Sequence, residues 1–257
     1  MGVGPPVLRL SGVSKTYASN GGHSLRALRE VSMEVGRGEF VSLVGPSGCG
    51  KSTLLGLIAG LEAPTDGAIE IAAETDGSPG RVAYMPQRDL LLPWRSLLDN
   101  ATLGAEVGGG DRAAARKRAQ SLLPSFGLEG FADALPHTLS GGMRQRAALL
   151  RTVLLEREIL LLDEPFGALD ALTRAALQEW LLDVWERLKA AVLFVTHDVE
   201  EALWLSDRVY VMSRRPGSIQ LDLAVDLPRP RTRDMRGTAG FAALKQRLLD
   251  ALLADTA

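Results

Sequence analysis

Two short glycine-bearing stretches of this chain carry the residue types that bind phosphate. In GPSGCGKS, residues 45–52, the spacing Gly45-x4-Gly50-Lys51-Ser52 lets backbone N–H groups turn inward around an anion. Lys51 can then reach β and γ oxygens, and the Ser52 hydroxyl is a ligand for Mg2+. LSGG, residues 139–142, offers a serine hydroxyl and two glycine amides at a helix start, which is also an anion receptor. A third stretch, ILLLDEP (159–165), ends an apolar run in two adjacent carboxylates. Asp163 is placed to hold Mg2+ through a water, and Glu164 to polarise an attacking water as a general base. His197 follows the apolar run VLFVT, at a strand end where the ligand sites of α/β sheets gather.

The elements that must position these residues are readable from the pattern around them. EFVSLVG (39–45) reads as a buried strand ending in glycine, and KSTLLGLIAGL as the helix after it, which begins a βαβ unit. ILLLDEP, AAVLFVTHD (190–198) and DRVYVMS (207–213) lack polar alternation, as parallel strands covered on both faces do. Between the first two, ALTRAALQEWLLDVWERLKA puts Leu177, Leu181, Val184 and Leu188 on one helical face, with Trp180 and Trp185 beside it. This alternation predicts an α/β fold with a mostly parallel sheet. Ahead of it, VLRLSGVSKTY and LREVSMEV read as short β runs parted by the polar loop ASNGGHS. Residues from about 90 to 155 read as helical, with no convincing strand, and are expected to form an inserted helical lobe. Residues 1–6 are expected to be a flexible tail, 7–230 the main domain, and 231–257 a tail with the amphipathic helix FAALKQRLLDALL.

The totals exclude several classes. At 257 residues and 46% hydrophobic, the chain can bury one sizeable core, or a core with a smaller lobe. A net charge of −2 without like-charge blocks gives no reason to expect a nucleic-acid partner. One cysteine, Cys49, neither staples the fold nor completes a multi-cysteine zinc site, and a reducing interior fits. The opening MGVGPPVLRL lacks the charged start and apolar run of a secretion signal. No apolar stretch is long enough to cross a bilayer, so any membrane association is expected to run through a partner.

In order along the chain, the P-loop, Gln87 after YMP, LSGG, LLLDEP, GALD and THD resemble the nucleotide-binding subunit of an ATP-binding cassette (ABC) transporter, from about Val7 to Pro230. The resemblance implies the ABC form of the P-loop NTPase fold, with an N-terminal antiparallel β subdomain. It implies ATP and Mg2+ as cofactors, with Gly45, Pro46, Ser47, Gly48, Cys49, Gly50, Lys51, Ser52 and Thr53 around the phosphates. It also implies a head-to-tail homodimer, in which Ser140, Gly141 and Gly142 of one copy close over the γ-phosphate held by the other. Tyr17, in SKTY, matches the aromatic that stacks on adenine. Gln87 matches the residue that senses Mg2+ and the attacking water and links the site to the membrane partner. Asp170 matches the loop that meets the opposite P-loop, and His197 the histidine that contacts the γ-phosphate and orients Glu164. Metal contacts thus fall to Ser52, Gln87 and Asp163, and catalysis to Glu164, His197 and Gln87. Cys49 lies next to the phosphates, so alkylation there is expected to block nucleotide binding.

RDLLLPWRSLLDNATLG, FGALDALTR, THDVEEALWLSDRVYVMSRRPGSI and LPRPR are similar to the importer branch serving nitrate, sulfonates and taurine. That branch implies two integral-membrane permease subunits, a separate solute-binding protein and a peripheral place on the cytoplasmic face of the inner membrane. The same cassette pattern also serves thiamine-precursor and riboflavin-type uptake. A non-transport ABC ATPase is the more distant alternative, and a regulator that hydrolyses nothing is opposed by the intact Asp163, Glu164 and His197. Arg157 stands where the family usually has proline, and LLRT (149–152) replaces LARA. Both touch packing rather than phosphate. Neither an extra C-terminal regulatory domain nor direct solute feedback on this subunit is expected.

Overall fold

The computed structural model describes residues 6–18, 24–72 and 81–254. Residues 1–5 of the expected tail and most of the loop ASNGGHS lie outside them. The first elements are β1 (Pro6–Ala18), β2 (Ser24–Gly36), β3 (Phe40–Val44), α1 (Lys51–Ile58) and β4 (Asp66–Ile71). Next come β5 (Val82–Met85), α2 (Leu97–Ala101), α3 (Leu103–Val107), α4 (Arg112–Leu122), α5 (Gly141–Val153), β6 (Ile159–Asp163) and α6 (Ala171–Leu188). Last are β7 (Ala191–Val195), α7 (Val199–Leu205), β8 (Arg208–Met212), β9 (Ile219–Ala224) and α8 (Ala239–Ala254). They fall into two compact units, one from Met1–Pro79 with Lys189–Ala257, the other Gly80–Leu188.

The first unit holds two sheet regions. One is antiparallel, in the order β2-β1-β4, with Leu10 opposite Met33 and Leu8 opposite Ile71. Val31, Met33 and Val35 are buried at every second position of β2, the period of a sheet with one face on a core. In the other, β3 runs parallel to β7 and to β8, pairing Phe40 with Val192 and Val41 with Arg208, while β9 is antiparallel to β8. Every residue of β3 and β7 is buried, which explains why their sequences are apolar but for Ser42. Val44, Val209 and Val211 join Ala202 and Leu203 of α7 and Phe241 and Leu248 of α8 in one apolar cluster. The amphipathic helix expected near the C-terminus is therefore docked on the strand that leads to the P-loop.

The second unit pairs β5 with β6 in parallel, Val82 with Ile159 and Met85 with Leu162. Between these strands the described chain forms helices joined by turns, with no strand. Serine and aspartate set the helix starts: Ser96 Oγ accepts from the Asp99 amide at 3.1 Å, and Asp111 Oδ1 from those of Ala113 and Ala114 at 2.8 and 3.0 Å. α6 buries Leu177, Leu181 and Trp185 together with Gln178 and Leu182, so its inward stripe is turned slightly from the expected one and leaves Val184 and Leu188 half-buried. Trp180 meets the edge of Phe126, with ring centroids 4.2 Å apart.

Candidate functional site

In the first unit, buried β3 delivers the chain to the phosphate loop and α1 takes it away. Gly45 has no room for a side chain, since a Cβ there would lie 3.0 Å from the Met212 carbonyl oxygen and 3.1 Å from Cys49 Sγ. Gly50 is held at φ 111 as the N-cap of α1, and a Cβ would stand 2.7 Å from Leu28 Cδ2. Ser47 and Gly48 are exposed at the tip of the turn, Ser52 is exposed in the first turn of α1, and Thr53 is half-buried. Lys51 is buried, and its Nζ donates to the carbonyl oxygens of Gly45 and Pro46 at 2.7 and 3.0 Å. The glycine turn, the lysine and the first N–H groups of α1 form a concave donor surface suited to phosphate. Cys49 is buried beneath it, and that burial pushes its thiol pKa up in spite of the neighbouring Lys51 ammonium.

Tyr17, on β1, lies beside the same helix. Its hydroxyl donates to Glu62 Oε1 at 3.2 Å and is hydrogen-bonded with the Thr53 side chain. Lys15 Nζ stands 5.0 Å from the ring centroid and 3.0 Å from Glu62 Oε2. Burial first, then the Glu62 carboxylate, raise the Tyr17 pKa, so the ring stays a neutral phenol. His197 follows β7 and is exposed. The turn that carries it is fixed on both sides: Thr196 Oγ1 bonds the Glu201 carboxylate, and Asp198 caps α7 by accepting from the Glu200 and Glu201 amides at 2.9 and 3.1 Å.

The second unit carries the carboxylates. Asp163 is buried at the end of β6. Tyr84 on β5 has its pKa pushed up to about 12, by burial first and then by the Asp163 charge. Glu164 leaves the strand with φ 48, in the left-handed region. Its carboxylate Oε2 accepts from Gln87 Nε2 at 3.3 Å, so two of the expected catalytic residues meet. Ser140 caps α5, its Oγ accepting from the Met143 amide at 3.2 Å, which leaves the hydroxyl proton free to point outward. Gly141 and Gly142 form the first turn, with amides that have no partner within the helix. Asp170 caps α6 by accepting from the Leu172 and Thr173 amides at 3.1 and 3.0 Å, and the Thr173 side chain and amide hold its carboxyl below the usual range.

Four residues that positioning depends on were not singled out by sequence reasoning. Buried Asn100 accepts from the Leu92 amide at 2.7 Å and donates to the carbonyls of Leu92, Arg95 and Ser96 at 3.0–3.1 Å, folding the LLPWRS segment. Arg151 donates to the carbonyls of Asp89 and Leu90 at 2.7 and 2.9 Å, and Arg144 to Asp89 Oδ2 at 3.0 Å, tying the turn after Gln87 to α5. Buried Gln145 donates to the Glu164 carbonyl at 3.3 Å. The one sequence signal was the seven-residue spacing of Arg144 and Arg151, which puts both on one helical face.

The chain as a whole is similar to known proteins. Residues 28–167 match the family described as ABC transporter. An aliphatic sulfonates import ATP-binding protein of Rhodococcus jostii is 49% identical, over 92% of this chain and 93% of its own length. A nitrate import ATP-binding protein of Synechocystis is 42% identical, over 86% of this chain and 83% of its own. Among solved structures, a dimeric ATP-binding cassette in a post-hydrolysis state with ADP and Pi superposes with a TM-score of 0.76 at 31% identity, covering 86% of this chain and all of that one. From its motifs, its fold and these likenesses together, the chain belongs to the ABC transporter family, as one of its ATP-binding ATPase cassettes.

Proposed function

We propose that this cassette energises an importer for a small oxyanion or sulfonate solute, as the names of the nitrate and sulfonate relatives suggest. Two copies face head to tail. Tyr17 receives adenine, the P-loop with Lys51 and Thr53 holds the phosphates, and Ser140, Gly141 and Gly142 of each copy close on the γ-phosphate of the other, near Asp170. His197 orients the γ-phosphate, and Glu164 takes the proton of the attacking water. Catalysis is placement and electrostatic stabilisation of a loose transition state.

The donor chemistry fits Mg2+. Among the described residues no group of three His, Cys, Asp or Glu side chains gathers to hold a metal alone. Mg2+ is commonly held by one or two protein oxygens together with substrate phosphates. Ser52, Asp163 and Gln87 offer such oxygens; the ion would neutralise phosphate charge. Among the described residues no helix is long and apolar enough to cross a membrane. Following the importer names of the relatives, attachment at the cytoplasmic face of the inner membrane is assigned to two permease subunits, with a solute-binding protein on the far side. Exposed Leu90 and Trp94, on the segment after Gln87, suit such a contact.

The observation that carries this reading is Glu164 itself, set in a left-handed backbone after a buried strand and bonded to Gln87. In the Glu164→Gln variant, ATP binding is expected to persist, ATP to trap a dimer on size exclusion, and phosphate release to fall by about 10²- to 10⁴-fold. Wild-type phosphate release in that variant would remove Glu164 from the role.

A further inference from the structure

We propose that Gln145 is a positioning residue for the reaction: its buried amide fixes the backbone of Glu164 from the same helix that is offered to the partner copy's γ-phosphate. The inference rests on the proposed roles of Glu164 and Ser140.

Gln145 lies five residues after the Ser140 cap, about 7 Å along α5. Only 6% of it is exposed, and its Nε2 donates to the Glu164 carbonyl oxygen at 3.3 Å. That oxygen also accepts from the Gly167 amide at 3.1 Å. Two donors thus converge on one carbonyl, in a residue whose φ of 48 places it where side chains other than glycine are seldom found. Such a backbone persists only where its surroundings over-determine it. The Gly167 bond closes the local turn, and the Gln145 bond is a long-range restraint that ties this turn to α5. Turning the Glu164 peptide would swing the carboxylate away from Gln87.

The consequence is a link between two reaction centres. The first turn of α5 serves the nucleotide on the other copy, while Gln145 on the same rigid helix sets the base that serves its own. A helix moves as a unit over so short a span, so closing α5 on one phosphate re-seats the Glu164 carbonyl of the other site. Each base is aligned only when the neighbouring site is engaged.

The test uses Gln145→Met, which keeps length and apolar volume and removes the donor, with Gln145→Glu as an isosteric second variant. Wild type and Glu164→Gln run in parallel. Steady-state phosphate release, binding of a fluorescent ATP analogue, melting temperature and hydrogen exchange of the 160–170 peptide are measured on the full chain. The expected result is KM and analogue affinity within about twofold of wild type, kcat lower by about ten- to a hundredfold, and faster exchange confined to that peptide. Unchanged kcat in a folded Gln145 variant, with Glu164→Gln inactive, overturns this proposal and leaves the role of Glu164 standing. Active Glu164→Gln overturns both. If kcat, affinity and melting temperature decline together in both variants, Gln145 is a packing residue and the proposal is wrong.

Discussion

Cys49 lies directly before Gly50 in the phosphate loop, yet its thiol is buried and its pKa raised by that burial. A raised pKa means less thiolate at any given pH, and the thiolate is the reactive form. Iodoacetamide should therefore label the native protein slowly at neutral pH, with a rate still climbing above the range where ordinary thiols have ionised. Urea-unfolded chain should react at the rate of a free thiol, and mass spectrometry of timed aliquots measures both. Fast native labelling would show that the loop opens. At this scale the phosphate loop, Asp163, Glu164 and His197 were legible because each stands where an apolar run meets a turn, a place the sequence marks. Gln145 and Asn100 were not, because the groups they bind are main-chain amides and carbonyls. Such a group has no sequence identity, and only the folded chain brings it within reach.

Among the elements, β3, β6 and β7 could be read directly, since a strand covered on both faces is apolar throughout. β4 (DGAIEI) and β9 (IQLDLA) were passed over, because they are short, half-exposed and mix charge with apolar residues. The LPRPR stretch showed as a pattern without a purpose. In the structure Arg229 donates to the Leu205 carbonyl at 2.8 Å and Arg231 to that of Ser206 at 2.9 Å, so the two arginines satisfy the carbonyl end of α7. α8 then covers α7 and β8 through Phe241 and Leu248, both buried. Leu248→Ala should cost about 2–5 kcal/mol of stability, read from a urea midpoint at constant slope. A loss below about 0.5 kcal/mol would mean that α8 is not part of the cooperative core.

For the whole molecule, the alternation of apolar strands and helices was enough to give the fold class. The division into Met1–Pro79 with Lys189–Ala257 and Gly80–Leu188 was not, because it depends on which distant segments pack together, and no local pattern records that. The helical lobe read at about 90–155 lies within Gly80–Leu188. The proposed head-to-tail pairing makes a prediction that only an assembly can meet. A Lys51→Ala copy lacks the phosphate lysine, and a Ser140→Arg copy obstructs its partner's nucleotide. In a Glu164→Gln background each homodimer should fail to trap an ATP-bound dimer on size exclusion, while a mixture should trap one, because one of the two sites in the mixed dimer joins an intact loop to an intact signature. A mixture that traps no more than its parts would refute composite sites.

Lys51 spends two of its three ammonium protons on the Gly45 and Pro46 carbonyls of its own loop. Those oxygens carry partial negative charge close to where an anion must settle. The side chain that attracts the incoming ligand thus also masks the dipoles that would repel it, and welcome and camouflage are one cation's work.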